Sequence, residues 1–178
     1  MTKNLSTFAA VLYACLLSTS AYADTTNITI TGSVRAATCT AVTANGGDAV
    51  DFGTVDSRLL QRDGFTRPKV FYIVLENCTT DIYKNASFKF SATTVAGSGD
   101  YHIALRNIPN SAQGIAISLK DGQNRDIKFD NQSAFNYPIS SGNNSLRFEA
   151  SLVPTDTNWA TLVPGKISAQ ATFTVSYL

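Results

Sequence analysis

Histidine, methionine, glutamate and long apolar runs are nearly missing from this 178-residue chain, and each shortage closes off a class of function. There is one His and one Met, and only Glu76 and Glu149 supplement eleven Asp. With a single His and no G-x-S-x-G, a base-activated Ser or Cys nucleophile lacks its parts. Paired carboxylates for glycoside hydrolysis have no cleft signal around them. No catalysis, no cofactor and no small-molecule substrate are therefore expected. Asp121, Asp126 and Asp130 straddle a turn at Gly122 without the alternating ligand order of a calcium loop, and read instead as a solvated hairpin. Charged residues make up 15%, against roughly 25% in an average soluble protein. Fourteen basic and 13 acidic side chains nearly cancel, and no Lys/Arg block or acidic tail offers a field to nucleic acid or anionic lipid. The longest apolar run, Phe8 to Leu17, is about half of the roughly 20 residues that a membrane-crossing helix needs.

What is present begins with an address. Lys3, the apolar run and the small residues ending in Ala21-Tyr22-Ala23 read as a secretory signal peptide over 1–23. Cys15 lies inside that run, which continues past it, and Tyr13 is too bulky for a lipidation site. Removing the leader leaves Cys39 and Cys78, an even pair in an exported chain, which points to an oxidising compartment and one disulfide. Polarity elsewhere is carried by 17 Ser, 21 Thr and 13 Asn.

Period-two alternation recurs at 27–34, 49–55, 69–78, 86–95, 114–119, 146–153 and 170–177, with turn signals such as Gly97-Ser98-Gly99, Asp121-Gly122 and Pro164-Gly165 between them. Residues 56–64 have room for one helical turn at most. Six or seven short strands at this spacing predict an all-β, antiparallel sandwich of immunoglobulin type. The two ends carry the most informative pattern. Ile28, Ile30, Gly32 and Val34 share one face of a strand placed ahead of the first mature cysteine, and Phe173, Val175 and Tyr177 share one face of the last. A detached β-branched strand and an apolar edge on one polypeptide should aggregate unless one covers the other. By pattern alone, 27–34 is equally an ordinary first strand completing its own sandwich. The chain would then be a self-complemented secreted immunoglobulin-like carbohydrate-binding module.

Several separated motifs resemble those of pilin subunits of Gram-negative chaperone–usher fimbriae, type 1-like, over the mature length. Gly165 is the fourteenth residue from the end and Tyr177 the penultimate one, with Ala169, Ala171, Thr172 and Phe173 matching an A-x-A-T-F core between them. Phe71, Ile73, Leu75 and Cys78 look like that family's strand into its second cysteine, and Val50-Asp51-Phe52-Gly53-Thr54-Val55 like its V-x-hydrophobic-G-x-V strand. The resemblance implies an incomplete immunoglobulin-like β-sandwich lacking its last strand (35–178), preceded by a donor-strand extension (24–34). Ile28, Ile30, Gly32 and Val34 would be the donor residues. Gly165, Phe173, Val175, Tyr177 and Leu178 would form the acceptor groove and chaperone contact, with the Leu178 carboxylate as anchor. The implied partners are a periplasmic chaperone, an outer-membrane usher and neighbouring pilin subunits, and the implied destination is a cell-surface fimbrium used in adhesion. His102, beside Tyr101 and Ile103, reads as a strand residue, and Trp159 as a packing residue.

Overall fold

Alternation of apolar and polar side chains sets the strands of this chain. The computed structural model describes residues 39–43, 50–156 and 161–178, so the expected leader, the donor residues Ile28, Ile30, Gly32 and Val34, and Trp159 lie outside the described residues. In chain order the elements are β1 (Thr40–Thr43), α1 (Ser57–Asp63), β2 (Lys69–Cys78), β3 (Asn85–Ala92), β4 (His102–Ala104), β5 (Ile115–Asp121), β6 (Asp130–Pro138), β7 (Gly142–Pro154) and β8 (Ala171–Tyr177). Every named strand pair is antiparallel. They form a five-stranded sheet in the order β1-β2-β7-β5-β4 and a three-stranded sheet in the order β6-β3-β8. No helix among the described residues is long and apolar enough to cross a membrane.

The core lies between the sheets. Ile73 and Leu75 of β2, Phe148 and Leu152 of β7 and Phe88 of β3 are fully buried. Phe90 holds the aromatic part together, its ring lying 5.7 Å from Phe148, 6.0 Å from Phe135, 6.2 Å from Phe173 and 6.4 Å from Phe129. Mixed edge-on and tilted contacts of this kind are favoured by ring quadrupoles and add to the burial energy. A disulfide joins Cys39, just before β1, to Cys78 at the end of β2. Closing a loop of this length contributes about 4 kcal/mol by restricting the unfolded chain.

Three local expectations are corrected. Residues 50–55 are not a strand: the Asp51 carboxylate accepts the Gly53 N–H at 2.8 Å and Gly53 takes φ 62°, which lifts the backbone off any ladder. Val50, Phe52 and Val55 still pack half-buried against the core. Residues 56–64 hold two helical turns rather than one, because Asp56 caps the Arg58 N–H, Leu60 is buried, and Gly64 at φ 77° closes the end. The carboxylates around Gly122 do not make a solvated hairpin. Asp121 is buried, accepting the N–H groups of Gln123 and Arg125 at 2.9 Å each, Arg125 Nε at 2.7 Å and the Tyr137 hydroxyl at 3.0 Å. The Arg125 guanidinium lies 5.4 Å from the Tyr137 ring centre and 5.6 Å from that of Phe135. Asp130 caps the start of β6 by accepting the N–H groups of Gln132 and Ser133, which hold its carboxyl below the usual range. Among the described residues no cluster of His, Cys, Asp and Glu is arranged to hold a metal ion.

Asp121 buckles the two sheets together, from the end of β5 to Tyr137 on β6. Burial pushes its carboxyl up, but the bonds from Arg125, Tyr137 and Gln123 outweigh burial and leave it below its ordinary value. A carboxyl depressed in the folded state stabilises at all pH values above its unfolded pKa of about 3.9, and this contribution is lost as pH falls through the lower folded value. Asp121→Asn should cost about 2–3 kcal/mol near neutrality. Chemical denaturation of both proteins as a function of pH checks this: the difference should hold above about pH 5 and shrink in stronger acid.

Candidate functional site

Among the described residues, the last strand has one neighbour. β8 pairs with β3 from Ala86 opposite Tyr177 to Ala92 opposite Ala171, and no described strand pairs with its other side. Its inward face is apolar, with Phe173, Val175 and Tyr177 alternating with exposed Thr172, Thr174 and Ser176. The neighbouring inward residues of β3 are completely covered, Ala86 and Phe88 at 0% exposure and Phe90 at 3%. Phe173, Val175 and Tyr177 are only half-buried although they pack on the same core. Phe173 touches that core through Phe88, ring centres 5.8 Å apart. The interior is thus finished beneath β3 and unfinished beneath β8.

The opposite wall is the other sheet's edge. β1 is the terminal strand of the five-stranded sheet. The Tyr177 hydroxyl donates to the Cys39 carbonyl at 3.1 Å, linking the end of β8 to the start of β1 and closing one end of the gap. Burial raises the Tyr177 pKa, so the hydroxyl keeps the proton this bond needs. Leu178 extends the pairing: its N–H donates to Asn85, its carbonyl accepts from Lys84 and Asn85, and its side chain is exposed. Among the described residues, β8 thus combines an unpaired side with three half-covered apolar side chains.

Gly165 sits where the segment before β8 crosses another loop. Lys166 N–H donates to Asn110 at 2.7 Å, Ala112 N–H donates to Lys166 at 2.9 Å, and Gln113 and Val163 exchange two bonds of 3.0 Å. A Cβ on Gly165 would come 2.5 Å from Ala112 N and 2.6 Å from Ser111 C, and one on Gly114 would come 2.5 Å from Thr161 C. Gly165 therefore permits the backbone crossing that sets where β8 begins. The structure brings Phe173, Val175, Tyr177 and Leu178 together on and just beyond β8. The neighbours of Gly165 are Asn110, Ser111 and Ala112. The sequence reading did not single out Gly114, the matching glycine at this crossing, and only the long-range contact identifies it.

The geometry can be set beside known proteins. A family model described as "Fimbrial protein" matches residues 28–178. Fimbria A protein of Serratia marcescens is 32% identical over 150 residues, covering 84% of this chain and 83% of that protein. The major MR/P fimbria protein of Proteus mirabilis is 30% identical over 146 residues, covering 82% of this chain and 80% of that one. Among solved structures, the P pilus rod subunit PapA superposes with a TM-score of 0.68 at 21% identity, over 80% of this chain and all of that one. An antigen and type I fimbria protein of Burkholderia pseudomallei superposes with a TM-score of 0.53 at 28% identity, over 78% of this chain and 88% of that one.

Because no side chain fits at the crossing without moving backbone, Gly165→Ala should destabilise the domain by about 1–3 kcal/mol. Thermal unfolding of the variant against the parent measures this, and an unchanged midpoint would show that the crossing relaxes without strain.

Proposed function

The chain belongs to the fimbrial protein family, and on that premise we propose that this structural subunit polymerises by strand donation, each copy completed by its neighbour. One observation carries the reading: adjacent strands β3 and β8 face the same core, yet only β3 is covered. A strand laid along the free side of β8 would pair its unused backbone groups and shield Phe173, Val175 and Tyr177. Donor-strand pairing of pilins is a known instance of strand addition to a sheet edge. What this chain contributes is the identity of the residues.

The proposed donor is the 24–34 extension of the next subunit, ahead of a pilin domain over 35–178. Ile28, Ile30 and Val34 would enter the gap, each burial contributing about 1.5–3 kcal/mol and each ladder bond about 0.5–1.5 kcal/mol. Gly32, in step with them and lacking a Cβ, would let the acceptor approach the donor backbone closely. An uncovered apolar edge aggregates, so before assembly a periplasmic chaperone would occupy the same edge beside Phe173, Val175, Tyr177 and Leu178. An outer-membrane usher would then exchange it for the incoming subunit. The subunit would pass through the periplasm after loss of residues 1–23 and end in a cell-surface fimbrium. It would contribute to adhesion as fibre and not by catalysis.

The test uses the mature chain released from its chaperone, mixed with a synthetic peptide of residues 24–35. Peptide capture with a raised unfolding midpoint is expected, and the peptide carrying Ile30→Asp should fail to bind, because its carboxylate would be buried unpaired. A chain that is a stable monomer alone and ignores the peptide would instead be a self-complemented module.

A further inference from the structure

β4 lies at the far edge of the five-stranded sheet from β1, well separated in sheet order from the wall that Tyr177 reaches. Beside it is an open pocket of about 440 Å³ lined by Ser98, Tyr101, His102 and Asp126. Ser98 and Tyr101 come from the β3–β4 loop, His102 opens β4, and Asp126 follows the β5 turn and bridges back to Lys120. This is where the chain's one histidine sits, and neither its imidazole nor the Tyr101 hydroxyl has a hydrogen-bond partner among the described residues. The Ser98 hydroxyl is buried and likewise without a partner. Buried polar atoms of this kind are rare, because each forgoes the bond it would make to water.

The loop supplying these groups is fixed in an unusual conformation. Gly97, Gly99 and Asp100 have φ of 79°, 64° and 68°. Glycine adopts such left-handed conformations freely and Asp does so more readily than most residues, so the three define a tight turn. The conformation is tied down: Thr94 Oγ1 donates to the Asp100 carboxylate at 2.9 Å, Phe129 N–H donates to the Asp100 carbonyl at 2.8 Å, and Val95 N–H to His102 at 2.9 Å. Gly99 takes the left-handed φ that the turn needs, and Tyr101 two residues on stays 41% exposed. The platform is held in place before any ligand arrives.

The chemistry selects the ligand. Lys120 Nζ lies 3.5 Å from Asp126, so the carboxylate's charge is partly answered and the pocket favours neither an anion nor a bare cation. What remains is the exposed Tyr101, its hydroxyl without a partner among the described residues, next to a carboxylate and an imidazole, all able to bond to OH groups. A pyranose has the complementary surface: an apolar face of C–H groups for the ring, and adjacent hydroxyls for the polar groups at its rim. We propose that this pocket binds one pyranose residue of an uncharged saccharide, with Tyr101 as the stacking platform and Asp126 and His102 as hydroxyl partners. β4 and β8 belong to different sheets, so the pocket does not lie on the strand-acceptor edge itself.

The experiment takes the full exported chain in the assembled form that cells produce. It is mixed with the methyl glycosides of glucose, galactose, mannose and N-acetylglucosamine, and saturation-transfer NMR reads contact with the sugar protons. Transfer to at least one glycoside is expected, weakened about tenfold by Tyr101→Ala and by Asp126→Asn. Asp126 is exposed, so its variant decides the matter if Tyr101→Ala disturbs the loop, as circular dichroism would reveal. Retention on the producing cell's own polysaccharide, compared with retention on animal cell-surface glycans, separates the two sources of such a ligand. Absence of transfer to every glycoside, or transfer unchanged in Asp126→Asn with its fold intact, overturns the assignment.

Discussion

The described structure turns on a strand with an apolar underside and, among the described residues, a neighbour on one side only. β8 is paired to β3 along its full length, so its position is set, yet the three side chains it contributes to the interior stay half-covered. Leaving them so forgoes part of the roughly 25 cal/mol per Å² that covering apolar surface would return. Among the described residues, the backbone donors and acceptors on the other side of β8 also lack a ladder partner. One more strand, as proposed above, would meet both deficits. A missing helix or loop could cover the side chains but not pair the backbone.

A gap of this kind persists only if its walls do not fall in on each other. The bracing lies around it. The Cys39–Cys78 link fixes the start of β1 to the end of β2, and the Tyr177 hydroxyl on the Cys39 carbonyl sets the spacing of the two edges at one end. Gly165 and Gly114 allow the entry to β8 to be pinned by hydrogen bonds to a neighbouring loop. On the closed side, Asp121, Arg125 and Tyr137 tie β5 to β6. The proposed donor strand would have little to reorganise on entering such a frame, so less of its contact energy would be spent on ordering the acceptor.

The sequence made the long alternating strands legible, and with them the face shared by Phe173, Val175 and Tyr177. Alternation is a local property, so β2, β5, β7 and β8 can be read without knowing their partners. β6 was invisible because its first half, Asp130-Asn131-Gln132-Ser133, looks like a turn; only Phe135 and Tyr137 carry its inward face. β1 is four residues long and follows directly on Cys39. Asp121 was misjudged for the opposite reason. The Asp-Gly pair signals a turn, but Asp121 also continues the inward series of Ile115, Ile117 and Leu119, and that periodicity should have outweighed the turn. At 50–55 the apolar spacing was genuine, but Asp51 bonded its own backbone and removed the ladder. What no local pattern contains is the degree of cover: whether Val175 is buried or half-buried depends on which strand lies beside it. The reason for Gly165 is equally non-local, since the backbone it must clear is some 50 residues earlier in the sequence.

The composition answers to the same constraint. Net charge well away from zero keeps proteins apart, and a polymer repeats whatever charge its subunit carries at every step along the fibre. Here 14 basic and 13 acidic groups nearly cancel. The ion pairs Arg62–Asp63 and Lys120–Asp126 lie on the surface, where they contribute little and weaken as salt rises. Hydroxyls and amides carry the remaining polarity, wetting the surface without a field that a second copy would meet head on. A low-charge surface is a poor way to stay monomeric and a good way to stack identical subunits in media of changing ionic strength. The scarcity of charge and the unfinished edge are therefore two expressions of one requirement: the subunit must tolerate its own copies at close quarters.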